Sequence, residues 1–123
     1  MIVLDPTLIG PPITEGLKAG GLILLNTPEP PESFAERFPL FRLATVDATA
    51  IARDNRLGTR SVPIVNTALC GAFARATGLL SIDAVLHAID EHVPAKKENN
   101  KAAARDAFNT VSGLRDGLER ESA

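Results

Sequence analysis

The clearest pattern along the chain is a set of short, unbroken apolar runs in its first half, at residues 2–4, 22–25 and 43–46. None of them alternates with polar residues, as expected of strands covered on both faces in a parallel sheet. The 17-residue intervals between them are too long for hairpin turns and long enough for crossover helices. Residues 13–19 supply one such helix, stopped by Gly20-Gly21, with Lys18 placed to complement its C-terminal dipole. Residues 32–37 supply another, entered through Pro28, Pro30 and Pro31 and ended before Pro39. This is a βαβαβ pattern with right-handed crossovers.

Beyond residue 47 the apolar positions recur at helical spacing. Residues 48–55 read as a short helix capped by Asp47 and ended near Gly58. Val65, Leu69, Ala72, Phe73 and Ala76 mark one face of a second helix that ends at Gly78. Ser81 caps a third, with Ile82, Val85, Leu86 and Ile89 on one side and Pro94 closing it. Residues 96–100 read as a solvated linker whose Asn99 or Asn100 caps a last helix bearing Ala104, Ala107, Phe108, Val111, Leu114 and Leu118. Gly113 and Gly117 each weaken that helix by about 1 kcal/mol relative to Ala, so its end is expected to fray. The fold class is therefore α/β: a three-layer, Rossmann-like domain with a mainly parallel sheet of about three strands and a helical C-terminal half.

Composition narrows this picture. The 123 residues make one domain, and 45% hydrophobic with 23% charged residues is ordinary globular usage. A net charge of −2 provides no general attraction to nucleic acid. No run approaches the ~18 apolar residues of a membrane span, and the start has no charged signal region, so the expected compartment is cytoplasmic. A single cysteine excludes an internal disulfide and any site built from several thiolates.

The strand-like runs all end in polar residues: Asp5, Asn26-Thr27, and Asp47 with Thr49. The carboxyl edge of an open parallel sheet is where ligands bind, and these side chains converge there. The same residue types routinely cap turns and helix N-termini, which is their commoner role. Asn66-Thr67 opens the second helix, either as an N-cap or as part of an anion-receiving terminus. Gly71 within that helix implies close approach by another backbone, from this chain or a partner. Cys70, flanked by Leu69 and Ala72, reads as a buried, inert thiol. His87 and His92 lie off a shared helix face and read as surface residues. Arg53, Arg56 and Arg60 bracket Gly58 and, with Lys96 and Lys97, make either a basic rim for an anionic partner or, more commonly, scattered solvated charge. No glycine-rich nucleotide fingerprint and no nucleophile elbow occur, so no self-sufficient catalytic site emerges.

Several segments in series carry a family resemblance. Val3-Leu4-Asp5-Pro6-Thr7-Leu8, Glu15-Gly16-Leu17-Lys18-Ala19-Gly20-Gly21, Leu24-Leu25-Asn26-Thr27 and Thr45-Val46-Asp47-Ala48-Thr49-Ala50 are followed by Pro63-Ile64-Val65-Asn66-Thr67-Ala68-Leu69-Cys70-Gly71-Ala72-Phe73. Thr77-Gly78-Leu79-Leu80-Ser81 and Asn99-Asn100-Lys101-Ala102 continue the series. Together they resemble the gamma subunit of pyruvate and other 2-oxoacid:ferredoxin oxidoreductases. The resemblance covers the C-terminal part, about two-thirds, of such a subunit, without the Gly-x-Gly-Gly-Gln-Gly turn that opens it. Residues 1–123 are accordingly expected to be one N-terminally truncated gamma-type domain whose sheet edge at residues 2–4 is open to another chain.

The resemblance implies a complex that oxidatively decarboxylates a 2-oxoacid, pyruvate foremost. Thiamine diphosphate, Mg, iron–sulfur clusters and CoA serve that chemistry, with acyl-CoA as product and ferredoxin as electron acceptor. It also implies that the gamma chain is an accessory subunit carrying none of these cofactors. Its partners would be the thiamine-binding and iron–sulfur subunits, with ferredoxin indirect and neither nucleic acid nor membrane involved. Asp5, Asn26, Thr27, Asp47, Thr49, Asn66, Thr67 and Gly71 are then candidates for ordering the carboxyl-edge loops or for subunit contact. Two other readings compete. Leu17-Lys18-Ala19-Gly20-Gly21 also resembles a turn of methyltransferase-like Rossmann domains, of which this chain would be the C-terminal half. A stand-alone assembly module without catalysis is the other.

Overall fold

Alternate residues of a strand point to opposite faces, and here both sets are apolar, so the sheet is covered from both sides. The computed structural model describes residues 2–3, 18–59 and 61–114. Strands β1 (Ile2–Val3), β2 (Leu22–Asn26) and β3 (Arg42–Val46) run parallel in that order. Strand β4 (Ser112–Leu114) follows on the far side, antiparallel to β3. Ile23, Leu25 and Leu43 face Phe34 and Phe38, brought over them by a 3-10 helix at Pro31–Phe34 and the turn behind it. Leu24, Ala44 and Val46 face the other cover, formed by α1 (Ala48–Asp54), α2 (Asn66–Thr77) and α4 (Lys97–Thr110). Helix α3 (Ile82–His92) lies outside these and buries Val85 and Ile89 against Ala74 and Ala104.

The helical cover is tight because its contact residues are small. Ala68, Gly71 and Ala72 of α2 meet Ala103, Ala104 and Ala107 of α4, all buried. A Cβ at Gly71 would lie 2.0 Å from the Ala104 carbonyl oxygen, so the approach that its sequence position implies comes from α4 of the same chain. Helix ends follow their local chemistry. Asp47 and Ser81 accept hydrogen bonds from the Ala50 and Ala84 amides, and Gly78 stops α2 in the left-handed region at φ 68°.

Several expectations change. The second crossover is the short 3-10 helix rather than a helix over 32–37, since closely spaced prolines leave one turn and the Phe34–Phe38 spacing already covers the sheet. The last helix does not run through Val111 to Leu118. It ends at Thr110, and Gly113 instead pairs with Ala44, because the open side of β3 offers ladder hydrogen bonds that a glycine-containing helix end does not match. The described sheet therefore has four strands rather than about three. Residues 96–100 are not a linker: α4 starts at Lys97, with Lys96 at its cap in the left-handed region. The helix expected over 13–19 lies almost wholly outside the described residues, as do Gly117 and Leu118.

Gly71→Ala forces α2 and α4 apart and is expected to cost about 3 kcal/mol or more of unfolding free energy. A urea melt reads this as a lowered midpoint, and an unchanged midpoint would show that the interface tolerates separation.

Candidate functional site

The carboxyl edge is organised by Asn26, the last residue of β2, which is buried. Its Oδ1 accepts hydrogen bonds from the Ala48 amide at 2.9 Å and the Thr49 amide at 3.3 Å, and its Nδ2 donates to Thr49 Oγ1 at 3.0 Å. The Ala50 amide is taken by Asp47 Oδ1 at 3.0 Å. Two side chains from two strands thus satisfy the first amides of α1. Thr27 continues the edge: its amide donates to the Val46 carbonyl at 3.0 Å, and its hydroxyl accepts from the Glu29 amide at 3.2 Å. Of the predicted group, Asn26 and Thr49 bond directly and Asp47 joins them at the first amides of α1, while Thr27 sits beside them at the same edge, bonded to Val46 and Glu29. Asp5 lies outside the described residues.

Beside this network is a cleft of about 410 Å³. Thr27, Glu29, Thr45, Asp47, Thr110 and Ser112 contribute its polar lining. Thr45 is the residue that sequence reasoning passed over. It is only 4% exposed, and its hydroxyl has no hydrogen-bond partner among the described residues. It sits inside an apolar run, so only the three-dimensional packing singles it out.

The remaining candidates are on α2, tied to α4 instead of the strand ends. Asn66 is exposed at the first position, and the cap residue is Val65, with no side-chain cap. Thr67 donates its hydroxyl to Asn100 Oδ1 at 2.7 Å, and Asn100 Nδ2 donates to the Lys96 carbonyl at 3.0 Å. Asn66-Thr67 is thus not an N-cap; it meets a buried asparagine that polar composition alone had placed in a solvated stretch. Gly71 is buried at the helix crossing. Cys70 is exposed, not buried. Desolvation of its thiol nonetheless pushes the pKa up, which disfavours the thiolate. His87 and His92 are exposed, and His87 Nε2 is 2.9 Å from Glu91.

Among the described residues no group of three His, Cys, Asp or Glu side chains could hold a metal ion. The whole chain has one cysteine, so its donor set does not fit an iron–sulfur cluster. No described helix is long and apolar enough to cross a membrane.

A profile of the pyruvate ferredoxin/flavodoxin oxidoreductase family matches residues 1–110. The chain belongs to this family. It is 42% identical over 113 residues to the pyruvate/ketoisovalerate oxidoreductases common subunit gamma of Thermococcus kodakarensis, covering 89% of this chain and 59% of that protein. It is 44% identical over 90 residues to the pyruvate synthase subunit PorC of Methanosarcina barkeri, covering 72% and 47%. The crystal structure of pyruvate oxidoreductase subunit PORC from Thermotoga maritima superposes with a TM-score of 0.78 at 30% identity, covering 93% of this chain and 64% of that one. The chain thus spans 47–59% of the length of these two curated relatives. Within the family frame the glycine pair after Ala19, where the methyltransferase-like similarity rests, is a local turn. Gly20 adopts φ 85° and donates to the Leu40 carbonyl, while the Gly21 amide donates to Lys18 at 2.9 Å.

Asn26→Ala orphans the amides of Ala48 and Thr49 and is expected to cost about 2 kcal/mol, measured by chemical denaturation. Asn26→Asp keeps the acceptor and should lose less; equal losses would contradict the role of Oδ1. Cys70 should react with iodoacetamide more slowly at neutral pH than an unperturbed cysteine, with its rate rising only at higher pH. A rate midpoint below that of free cysteine would contradict the desolvation.

Proposed function

We propose that this chain is a gamma-type accessory unit of a 2-oxoacid:ferredoxin oxidoreductase, with pyruvate as the foremost substrate. The observation that carries the proposal is the agreement with the PORC subunit over 93% of the chain, at 30% identity and a TM-score of 0.78. The family match over residues 1–110 supports it independently. In this reading thiamine diphosphate with Mg, the iron–sulfur clusters and CoA are handled by partner subunits, which decarboxylate the 2-oxoacid and pass electrons to ferredoxin. Residues 1–123 act as one α/β unit within that assembly.

The geometry of the carboxyl edge agrees with an ordering role more than a reactive one. Asn26 and Asp47 spend their side chains on the amides of α1. The chain also exposes large apolar residues suited to subunit contact: Leu79 is 75% exposed, Val62 69% and Ile64 52%. Contiguous exposed apolar residues mark protein contacts, and Leu79 and Leu80 are adjacent.

The proposal is tested by reconstituting the complex with and without this chain and following 2-oxoacid-dependent viologen reduction. Activity should depend on the chain, and full activity in its absence would refute the assignment. Leu79→Glu with Leu80→Glu, both exposed and outside the core, should leave thermal unfolding unchanged while lowering co-purification of the other subunits several-fold. Undiminished co-purification would remove these residues from the interface.

A further inference from the structure

Side chains alternate between the faces of a strand, so Leu43 and Thr45 share one face of β3. Leu43 packs there among Ile23, Leu25 and Phe34. Thr45, one step nearer the carboxyl edge, is outside that apolar cluster and forms part of the wall of the 410 Å³ cleft. Its ladder partner on β4 is Ser112, which places a second hydroxyl on the same face at cross-strand distance. Thr27, just past the end of β2, contributes a third to the same wall.

The hydrogen-bonding capacity of this wall is unspent. Thr45 is 4% exposed and Thr27 6%, yet neither hydroxyl proton has an acceptor among the described residues. Thr27 Oγ1 receives the Glu29 amide, and Thr45 Oγ1 receives nothing. A buried hydroxyl in that state carries a desolvation cost that a hydrogen bond to a guest recovers. The acceptors are equally free. Asp47 gives Oδ1 to the Ala50 amide, while its Oδ2 and the Glu29 carboxylate hold no hydrogen bond or ion pair among the described residues. Thr110, by contrast, is used up, since its hydroxyl donates to the Asp106 carbonyl at 2.7 Å. No Lys, Arg or His lines the cleft.

These groups together define the guest. It must donate to carboxylates and accept from buried hydroxyls within one small space. An ammonium only donates, and a carboxylate only accepts and meets Asp47 and Glu29 with like charge. A hydroxyl does both. Pro28, Pro30 and Ile51 supply apolar wall for a carbon skeleton, and the volume falls within the roughly 300–1,000 Å³ of small-molecule sites. We propose that the cleft binds a small neutral polyhydroxy compound of sugar type, whose adjacent hydroxyls donate to Asp47 and accept from Thr45. The site holds its guest without reacting with it, and the proposal does not rest on the oxidoreductase assignment.

The test is a titration of the full chain with D-ribose, followed by ¹H–¹⁵N shifts, with n-butylamine and butyrate as cationic and anionic comparison probes. Saturable shifts with ribose are expected, confined to residues 27–30, 45–51 and 110–112. The affinity for a neutral guest should stay constant between about 50 and 500 mM salt, a range over which exposed charge pairs are progressively screened. Thr45→Val keeps the shape and removes the hydroxyl. It should weaken ribose binding at least about fivefold without lowering the urea midpoint. Asp47→Asn keeps an N-cap acceptor for Ala50 and should weaken binding by a similar factor. Asp83→Asn, which changes an exposed carboxylate on α3, should leave binding unchanged. Absent or dispersed shifts, tighter binding of butylamine or butyrate at these residues, or undiminished binding by Thr45→Val overturns the proposal. A lowered midpoint for Thr45→Val would likewise overturn it, by showing that the hydroxyl is already partnered within the chain.

Discussion

The contact on which the rest of the structure depends is the approach of α2 to α4 at Gly71 and Ala104. With no side chain at Gly71, the Ala104 backbone comes closer than any Cβ would allow. That closeness lets Ala68, Ala72, Ala103 and Ala107 seal one face of the sheet over Leu24, Ala44 and Val46. It also brings Thr67 to Asn100, and the start of α4 against the end of α1, where Asn99 and Lys96 take up the Asn55 and Arg56 carbonyls. Small residues give up hydrophobic area per side chain and gain packing contact instead. A wider crossing would break both corners at once.

Most of the layered architecture was legible in the residue pattern, for local reasons. The runs ending at Asn26 and Val46 are continuous because both faces of their strands are covered, and Asp47, Ser81 and Gly78 mark helix ends by capping chemistry. What failed was non-local. β4 takes its identity from the free side of β3, which no property of Ser112-Gly113-Leu114 announces. Lys96 to Asn100 looks like solvated linker by composition. It becomes a helix start because Asn100, itself buried, finds hydrogen-bond partners in Thr67, Ala95 and Lys96.

The candidate site divides along the same line. That Asn26, Thr27, Asp47 and Thr49 share one edge follows from topology alone, since parallel strands deliver their ends to the same side. That Asn26 serves a helix beginning 22 residues later, and that Thr45 is buried beside a cleft, are facts of packing. Cys70 shows the converse: its apolar neighbours suggest burial, but the residue is exposed. The picture that results is of a rigid α/β unit whose strand-end polar groups hold loops in place. The large apolar residues Val62, Ile64, Leu79 and Leu80 stay exposed outside that packing.

The central claim is that this unit works inside an oxidoreductase assembly. Native mass spectrometry of the affinity-isolated chain, expressed together with its neighbouring gene products, addresses that most directly. The account predicts a defined stoichiometric complex containing a thiamine-binding subunit. Recovery of the chain alone, folded and without any such partner, would contradict it.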